Sequence, residues 1–217
     1  MSCISAIARK LLMAATGQLM ILFVLVHLAG LSSMYTGAIN AYAAGLRTMP
    51  FVMILWCSRI LLFLSLSLHL YNGILRTIEN RRAKPDRYVV SRFRRSTLAG
   101  RSMIWSGVII ALFLLAHLAR FTFHADFALD ALGRPDVRRE VLEAFRRTPV
   151  ATLHLAGLLA LAMHLSHGIQ SSLQTWGLIP EGALPAVEQT GTALSLLLSI
   201  GFAAAPILIM LGSWPLR

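Results

Sequence analysis

Hydrophobic positions along this chain fall into five long runs separated by polar segments. Each run is 22 to 25 residues long and contains few charged residues. The runs cover approximately residues 11–33, 51–75, 102–123, 149–170 and 190–213. An α-helix rises about 1.5 Å per residue, so about 20 apolar residues cross a hydrocarbon core of about 30 Å. The pattern predicts an all-α integral membrane protein, with five transmembrane helices in one domain over residues 1–217.

Composition supports this interpretation and excludes several other classes of protein. Apolar residues make up 57% of the 217 residues and charged residues only 13%, whereas a soluble domain has about 25% charged residues. Five spans leave no room for a soluble catalytic domain. A soluble enzyme, a nucleic-acid-binding protein and a secreted disulfide-rich domain are therefore excluded, and the two cysteines, Cys3 and Cys57, give no disulfide framework.

The net charge of +11 is concentrated in one connecting segment. Nine of the 20 Lys and Arg residues lie between Arg76 and Arg101, whereas residues 124–148 hold five Arg and five acidic residues. Because an excess of Lys and Arg marks cytoplasmic loops, the N-terminus and residues 76–101 are predicted to be cytoplasmic. The basic segment either sets only this topology or also docks an anionic partner or lipid headgroups.

Two shorter features are predicted between the spans. Apolar Val137, Val141 and Phe145 recur at helical spacing among Arg and Glu residues, which predicts a short amphipathic helix at the membrane interface. Pro85 predicts that no continuous helix runs through the basic segment.

Four of the seven histidines match in depth within the predicted spans. His27 and His117 each lie about six residues from the outer ends of their spans, and His69 and His164 lie about six residues from the inner ends. A single histidine in a membrane span more often forms a hydrogen bond to a neighbouring helix. Two pairs matched in depth instead indicate that the two histidines of each pair bind one group between them. Two imidazoles without thiolates or carboxylates make a poor zinc site but suit six-coordinate haem b. The pattern predicts two haem b groups about 15 Å apart in a four-helix bundle, with the fifth helix beside it.

Other polar residues in or near the spans leave alternatives open. His154 is the rival ligand for the outer site, and His167 is predicted to hydrogen-bond a propionate or a loop. His124 is predicted to lie at the outer water interface. Arg59 lies eight residues into the second run, at the depth of the outer pair. It either binds a haem propionate or extends its charge to the interface.

Several motifs together resemble the cytochrome b subunit of succinate dehydrogenase and fumarate reductase. They are Arg9-Lys10-Leu-Leu-Met-Ala-Ala-Thr16-Gly17, His27-Leu, His69-Leu-Tyr-Asn-Gly73, Ala83-Lys84-Pro85-Asp-Arg87-Tyr88, Gly100-Arg-Ser-Met-Ile-Trp105 and His164-Leu-Ser-His167-Gly168. The resemblance runs from about residue 9 to residue 178 and is to the single-subunit form with five helices and two haems.

This resemblance implies a multi-pass anchor in the cell inner membrane that binds a flavoprotein subunit and an iron–sulfur subunit on the cytoplasmic side. It is compatible with a dimeric complex. It assigns His69 and His164 to the haem nearer the iron–sulfur subunit, and His27 and His117 to the other haem. It also implies menaquinone as the membrane redox substrate. The chain would then be the quinone-reactive subunit of the enzyme, with no action of its own on succinate or fumarate.

Two other functions fit the same residues. The chain could be the cytochrome b anchor of another quinone-linked dehydrogenase, such as a hydrogenase. It could also be a haem-free transporter that couples protons through membrane His and Arg residues. A sharp α-band from a bis-histidine haem would exclude the transporter, and co-purifying subunits would decide between the dehydrogenases.

A quinone site is predicted beside the outer haem, because the outer half of the spans offers more polar groups near it. The outer candidates are Ser32, Ser33, Tyr35, Arg59, Arg120 and His124. The inner candidates are His167, Gln170 and Gln174, which the partner interface or propionates would otherwise occupy.

Overall fold

A computed structural model of the protein describes residues 5–83, 97–123 and 128–214. Within these residues the named elements are all helices. They are α1 (Ala6–Ser32), α2 (Ile39–Gly45), α3 (Phe51–Ala83), α4 (Leu98–Arg101), α5 (Met103–Phe121), α6 (Val137–Arg146), α7 (Thr148–Thr175) and α8 (Leu184–Met210). Five of them, α1, α3, α5, α7 and α8, are long and apolar enough to cross a membrane. The predicted all-α fold with five transmembrane helices is confirmed.

Helix α3 is longer than the hydrophobic run that predicts it. The run ends near residue 75, whereas the helix continues to Ala83 with Arg81 and Arg82 in its last turn. Basic side chains there interact favourably with the helix dipole and with unpaired carbonyl groups. Helix α3 is described as far as Ala83, so the prediction drawn from Pro85 falls outside the described residues. Residues 84–96, which include Arg92, Arg94 and Arg95, lie outside the described part of the chain.

Four of the long helices form a ring. Helix α1 packs against α3 and α7, and α5 packs against α7 and, over a shorter stretch, α3. Helices α1 and α5 are therefore diagonally opposite, and so are α3 and α7. Helix α8 packs along α7 and also contacts α1. This arrangement agrees with a four-helix bundle and a fifth helix beside it.

The outer surface of the long helices is strongly apolar. Leu22, Phe63, Leu112, Leu159 and Ile200 are each more than 60% exposed. In water an apolar surface of this extent would be unfavourable, and in lipid it is not. This surface is the one that hydrocarbon chains would cover.

Helix α6 closes the end of the bundle away from the N-terminus, which we call the far end. Its Val141 and Phe145 are buried in a cluster that includes Met34, Ala205 and Trp214. The predicted amphipathic helix is confirmed, and its apolar face packs on α7 and α8. The far end is therefore covered by a protein layer.

Polar contacts fix α6 to α2 across this layer. The Asn40 side chain donates to Asp136 at 2.9 Å and accepts from the backbone N–H of Arg138 at 2.9 Å. In the preceding loop Asp130 accepts from the Arg134 side chain, and this bond is the main reason why the pKa of the Asp130 carboxyl is lowered to about 2. The far-end loop is thus held by charge-assisted hydrogen bonds.

Candidate functional site

The structure brings the four predicted histidines together in two pairs inside the bundle. The rings of His27 on α1 and His117 on α5 have their centres 6.1 Å apart. The rings of His69 on α3 and His164 on α7 have their centres 6.2 Å apart. Each pair joins diagonally opposite helices, so the rings meet across the bundle interior. These are the pairs that depth in the spans predicts.

These separations fit a single metal ion between the two rings of each pair. Imidazole–metal bonds are about 2.0–2.1 Å long, so two rings bound to one ion have their bonded nitrogens up to about 4 Å apart, and their centres lie further apart than that. Among the described residues no group of three or more His, Cys, Asp or Glu could hold a metal ion. Each pair therefore offers two protein ligands, the number that six-coordinate haem iron takes.

Hydroxyl groups set the tautomers of the His69–His164 pair. Thr16 lies 3.2 Å from Nδ1 of His69, and Ser106 lies 3.1 Å from Nδ1 of His164. Each hydroxyl already donates to a carbonyl of its own helix, so it accepts from the imidazole. In a neutral ring the proton is then on Nδ1 and the lone pair on Nε2 is available to a metal.

Two glycines let these histidines approach the neighbouring helices. A Cβ on Gly17 would lie 3.4 Å from Cε1 of His69, and a Cβ on Gly107 would lie 3.5 Å from Cε1 of His164. A side chain longer than alanine would have to move either ring. At Gly168, one turn after His164, a Cβ would meet nothing within 4 Å. The bundle is therefore closely packed at Gly17 and Gly107 and open at Gly168.

The spacing of these supporting residues from the histidines is a sequence signal that was not among the predictions above. Thr16-Gly17 begins eleven residues before His27, and Ser106-Gly107 begins eleven residues before His117. Eleven residues make about three helical turns, so the hydroxyl and the histidine lie on one face. Helices α1 and α5 thus carry the same motif, each supporting a ligand of one pair and supplying a ligand of the other.

His154 lies behind His117 and does not face His27 as a rival ligand would. Its Nδ1 donates to the carbonyl of Val150 at 2.8 Å, and its Nε2 lies 3.3 Å from Nδ1 of His117. Both nitrogens of His154 are therefore engaged. The structure favours His117 as the partner of His27.

Three phenylalanine rings enclose His154. The ring centres of Phe113, Phe121 and Phe145 lie 5.2, 5.7 and 4.9 Å from that of His154. The imidazole is only 6% exposed. It is therefore fixed in orientation by both its apolar and its polar neighbours.

The surroundings of His27 are different. Its ring stacks between Phe23, at 5.4 Å, and Phe202 of α8, at 5.6 Å. Within the described residues no hydrogen bond to the His27 ring is present. The fifth helix thus contributes to the site, a role that its apolar sequence did not indicate.

A cavity of about 780 Å³ lies at the far end between α5, α6 and α7. Its lining includes His154 and the buried Glu140, which forms an ion pair with Arg120. Arg139, paired with Glu143 at 2.7 Å, also lines it. Charged groups thus surround a space that reaches the imidazole behind His117.

The structure does not bring Arg59 to the histidine pairs. Arg59 is exposed, and its guanidinium lies 5.1 Å from the ring centre of Trp56, also exposed. This position agrees with the alternative that Arg59 extends its charge along the protein surface to the interface. Arg59 as a cofactor-binding residue stays a prediction without a supporting contact.

The remaining predicted polar residues lie in different places. Tyr35 packs on Trp214, with ring centres 5.0 Å apart. His167 lies close to α4, where a Cβ on Gly100 would be 3.1 Å from its ring. Gln170 donates to Glu188 of α8 at 2.9 Å. His124 lies outside the described residues.

Comparison with known proteins adds a family match. Residues 77–205, more than half of the chain, match the family model described as succinate dehydrogenase/fumarate reductase transmembrane subunit. This range contains His117, His154 and His164, whereas His27 and His69 precede it. No curated protein and no solved structure matches the chain.

Proposed function

Because the chain belongs to the succinate dehydrogenase/fumarate reductase transmembrane subunit family, we propose that it is the dihaem cytochrome b of such a complex. In this role it carries electrons between membrane quinone and an iron–sulfur subunit. The observation that carries the proposal is the presence of two imidazole pairs, with ring centres 6.1 and 6.2 Å apart, on diagonal helices. The family match disfavours a haem-free transporter and the anchor of an unrelated dehydrogenase.

The residues of the chain have separate tasks in this proposal. A haem b at each pair would supply reversible one-electron transfer at its iron. His27, His69, His117 and His164 would hold the iron, the last three through Nε2 because their Nδ1 atoms donate to other groups. Thr16, Ser106 and His154 accept the Nδ1 protons and so orient the rings.

The direct test is the haem content of the purified protein. A pyridine haemochrome assay should give two haem b per chain, and the reduced protein should show a sharp α-band. One haem per chain would leave only one pair functional and would contradict the dihaem proposal. No haem in protein from cells that make haem would favour the transporter.

We place the soluble subunits at the N-terminal end of the bundle, on the cytoplasmic side of the inner membrane. At this end the Arg9–Glu79 ion pair, 2.6 Å long, joins the start of α1 to the end of α3. The exposed Arg81 and Arg82 follow on α3. A positive surface of this kind would steer an acidic partner and fix its orientation.

Charge reversal at this end should weaken the complex. The double variant Arg81→Glu/Arg82→Glu is expected to bind the iron–sulfur and flavoprotein subunits several-fold less tightly, because it replaces attraction by repulsion. Co-purification at increasing salt measures the effect. Arg47→Glu, at an exposed position toward the far end, is the matched control and should bind normally. Cross-links from the partner that fall only within residues 128–148 would contradict the proposed orientation.

The quinone site is proposed to be the far-end cavity. Its volume of about 780 Å³ lies within the range of about 300–1,000 Å³ that is usual for small-molecule sites. Oxidation of a quinol releases two protons, so the site needs a group that accepts them and a route to water. Glu140 is such a group, and His154 lines the cavity while contacting His117. Of the outer candidates from the sequence, Arg120 lines this cavity.

Replacing Glu140 with glutamine should impair quinol oxidation. The amide keeps the size of the side chain but cannot accept a proton, and loss of a general base costs about 10²–10⁴-fold in rate. Quinol-linked fumarate reduction is expected to fall, while fumarate reduction from an artificial donor to the soluble subunits and the haem content should not change. Tyr35→Phe is the control, because Tyr35, although an outer candidate in the sequence, packs on Trp214 and does not line the cavity. Impairment by Gln170→Ala, with normal kinetics for Glu140→Gln, would move the site to the N-terminal end.

A further inference from the structure

The hydrogen-bond acceptors behind the paired histidines are not chemically equivalent. His69 and His164 donate to the hydroxyl groups of Thr16 and Ser106. His117 instead faces a second imidazole, with 3.3 Å between its Nδ1 and Nε2 of His154. This difference distinguishes the two pairs.

The orientation of His154 determines which ring donates. The Val150 carbonyl can only accept, so Nδ1 of His154 carries a proton. In a neutral imidazole Nε2 is then the acceptor, and His117 donates from its own Nδ1. The three phenylalanine rings around His154 prevent it from turning away. Two consecutive hydrogen bonds thus link His117 to His154 and His154 to the backbone carbonyl of Val150.

The type of acceptor affects how His117 binds a metal. An imidazole nitrogen is a more basic acceptor than a hydroxyl oxygen, so it draws the Nδ1 proton of His117 further from the ring. The ring becomes richer in electrons and its Nε2 a stronger donor. A stronger donor stabilises the more highly charged, oxidised state of a metal, and hydrogen bonding to axial ligands is one of the means by which proteins set haem potentials.

We propose that His154 is a positioning residue for His117, which fixes its tautomer and lowers the reduction potential of the group held by the His27–His117 pair. The inference rests on the proposed function, because it needs a redox-active metal between these rings. It assigns to His154 a role that differs from that of an axial ligand.

Redox titration of the α-band in the purified subunit complex tests this role. In His154→Leu the acceptor is lost while the volume remains apolar, so one of the two haems should titrate at a higher potential and the other should not move. In His154→Gln the side-chain carbonyl can still accept from His117, so the potential should lie between that of His154→Leu and that of the unchanged protein. Ser106→Ala, the matched variant at the other pair, should move only the other haem.

The outcomes separate this inference from the proposed function. If both haems are bound and His154→Leu leaves both potentials unchanged, or moves the two equally, the inference is wrong. If one haem is lost from His154→Leu but retained in His154→Gln, the positioning role is supported. If one haem is lost from both variants while His117→Ala retains two, His154 is the ligand and the inference fails. Absence of haem from the unaltered protein would instead contradict the proposed function.

Discussion

Replacing His164 with alanine is expected to remove one of two haems and to leave the other in place. A low-spin haem needs both axial ligands, and the ring of His69 alone cannot supply them. The haem-to-protein ratio should fall to about half, with the remaining α-band unchanged in position. His167→Ala is the matched control, because it lies one turn further along the same helix and close to α4. It should retain both haems.

The four ligand variants should sort into two groups. Variants of His69 and His164 should lose the same haem, and variants of His27 and His117 should lose the other. The wrong pairing, in which His27 and His69 variants lose the same haem, would contradict the diagonal arrangement. Loss of a haem from His154→Ala but not from His117→Ala would show that the rival ligand is the true one.

A methyl group added to Gly157 should disrupt the far half of the bundle. A Cβ there would lie 2.4 Å from Cγ of Phe113 and 2.9 Å from its Cβ, so the phenylalanine or the backbone of α5 must move. The ring of Phe113 lies 5.5 Å from His117 and 5.2 Å from His154. Overpacking of this kind costs about 1–3 kcal/mol. Gly157→Ala should lower the melting temperature in detergent and weaken binding of the haem at His117.

Gly168→Ala provides the control on the same helix. A Cβ at that position meets nothing within 4 Å, so the substitution changes helix propensity in the same way without a clash. Equal melting temperatures and equal haem content for the two variants would show that Gly157 is not a point of close approach.

The five spans and the two histidine pairs could be predicted because both depend on the fixed rise of a helix. Because the rise per residue is constant, the number of residues between two positions gives their difference in depth, and this does not depend on how the helices pack. The continuation of α3 to Ala83, beyond the hydrophobic run, could not be predicted in this way. Hydropathy marks only the part of a helix that is apolar enough to lie in lipid. The last turns of α3 contain the charged Arg81 and Arg82, so hydropathy does not mark them. Helical structure continues past the apolar run there.

The different surroundings of Arg59 and His154 could not be predicted from spacing alone. Arg59 lies ten residues before His69 on α3, and His154 lies ten residues before His164 on α7. The two residues therefore have corresponding positions on their helices. His154 is nevertheless buried against α5, whereas Arg59 is exposed. The difference comes from packing, since Gly157 allows Phe113 of α5 to approach α7 closely. Whether such a side chain is buried depends on how its helix is rotated about its axis and on which helix packs beside it. Neither follows from the depth of the residue in the span.

The diagonal placement of the histidines has a mechanical consequence for the bundle. Each histidine pair joins two helices that are diagonally opposite in the ring, so a group bound between its two rings would link helices that pack mainly on their neighbours. The two histidine pairs lie at different depths in the bundle, and each pair joins alternate helices of the ring. Anything that binds the assembled bundle and not the separated helices stabilises it by mass action. Cofactor loading would therefore be coupled to helix assembly, and we expect the bundle without bound groups to resist proteolysis less than the loaded bundle.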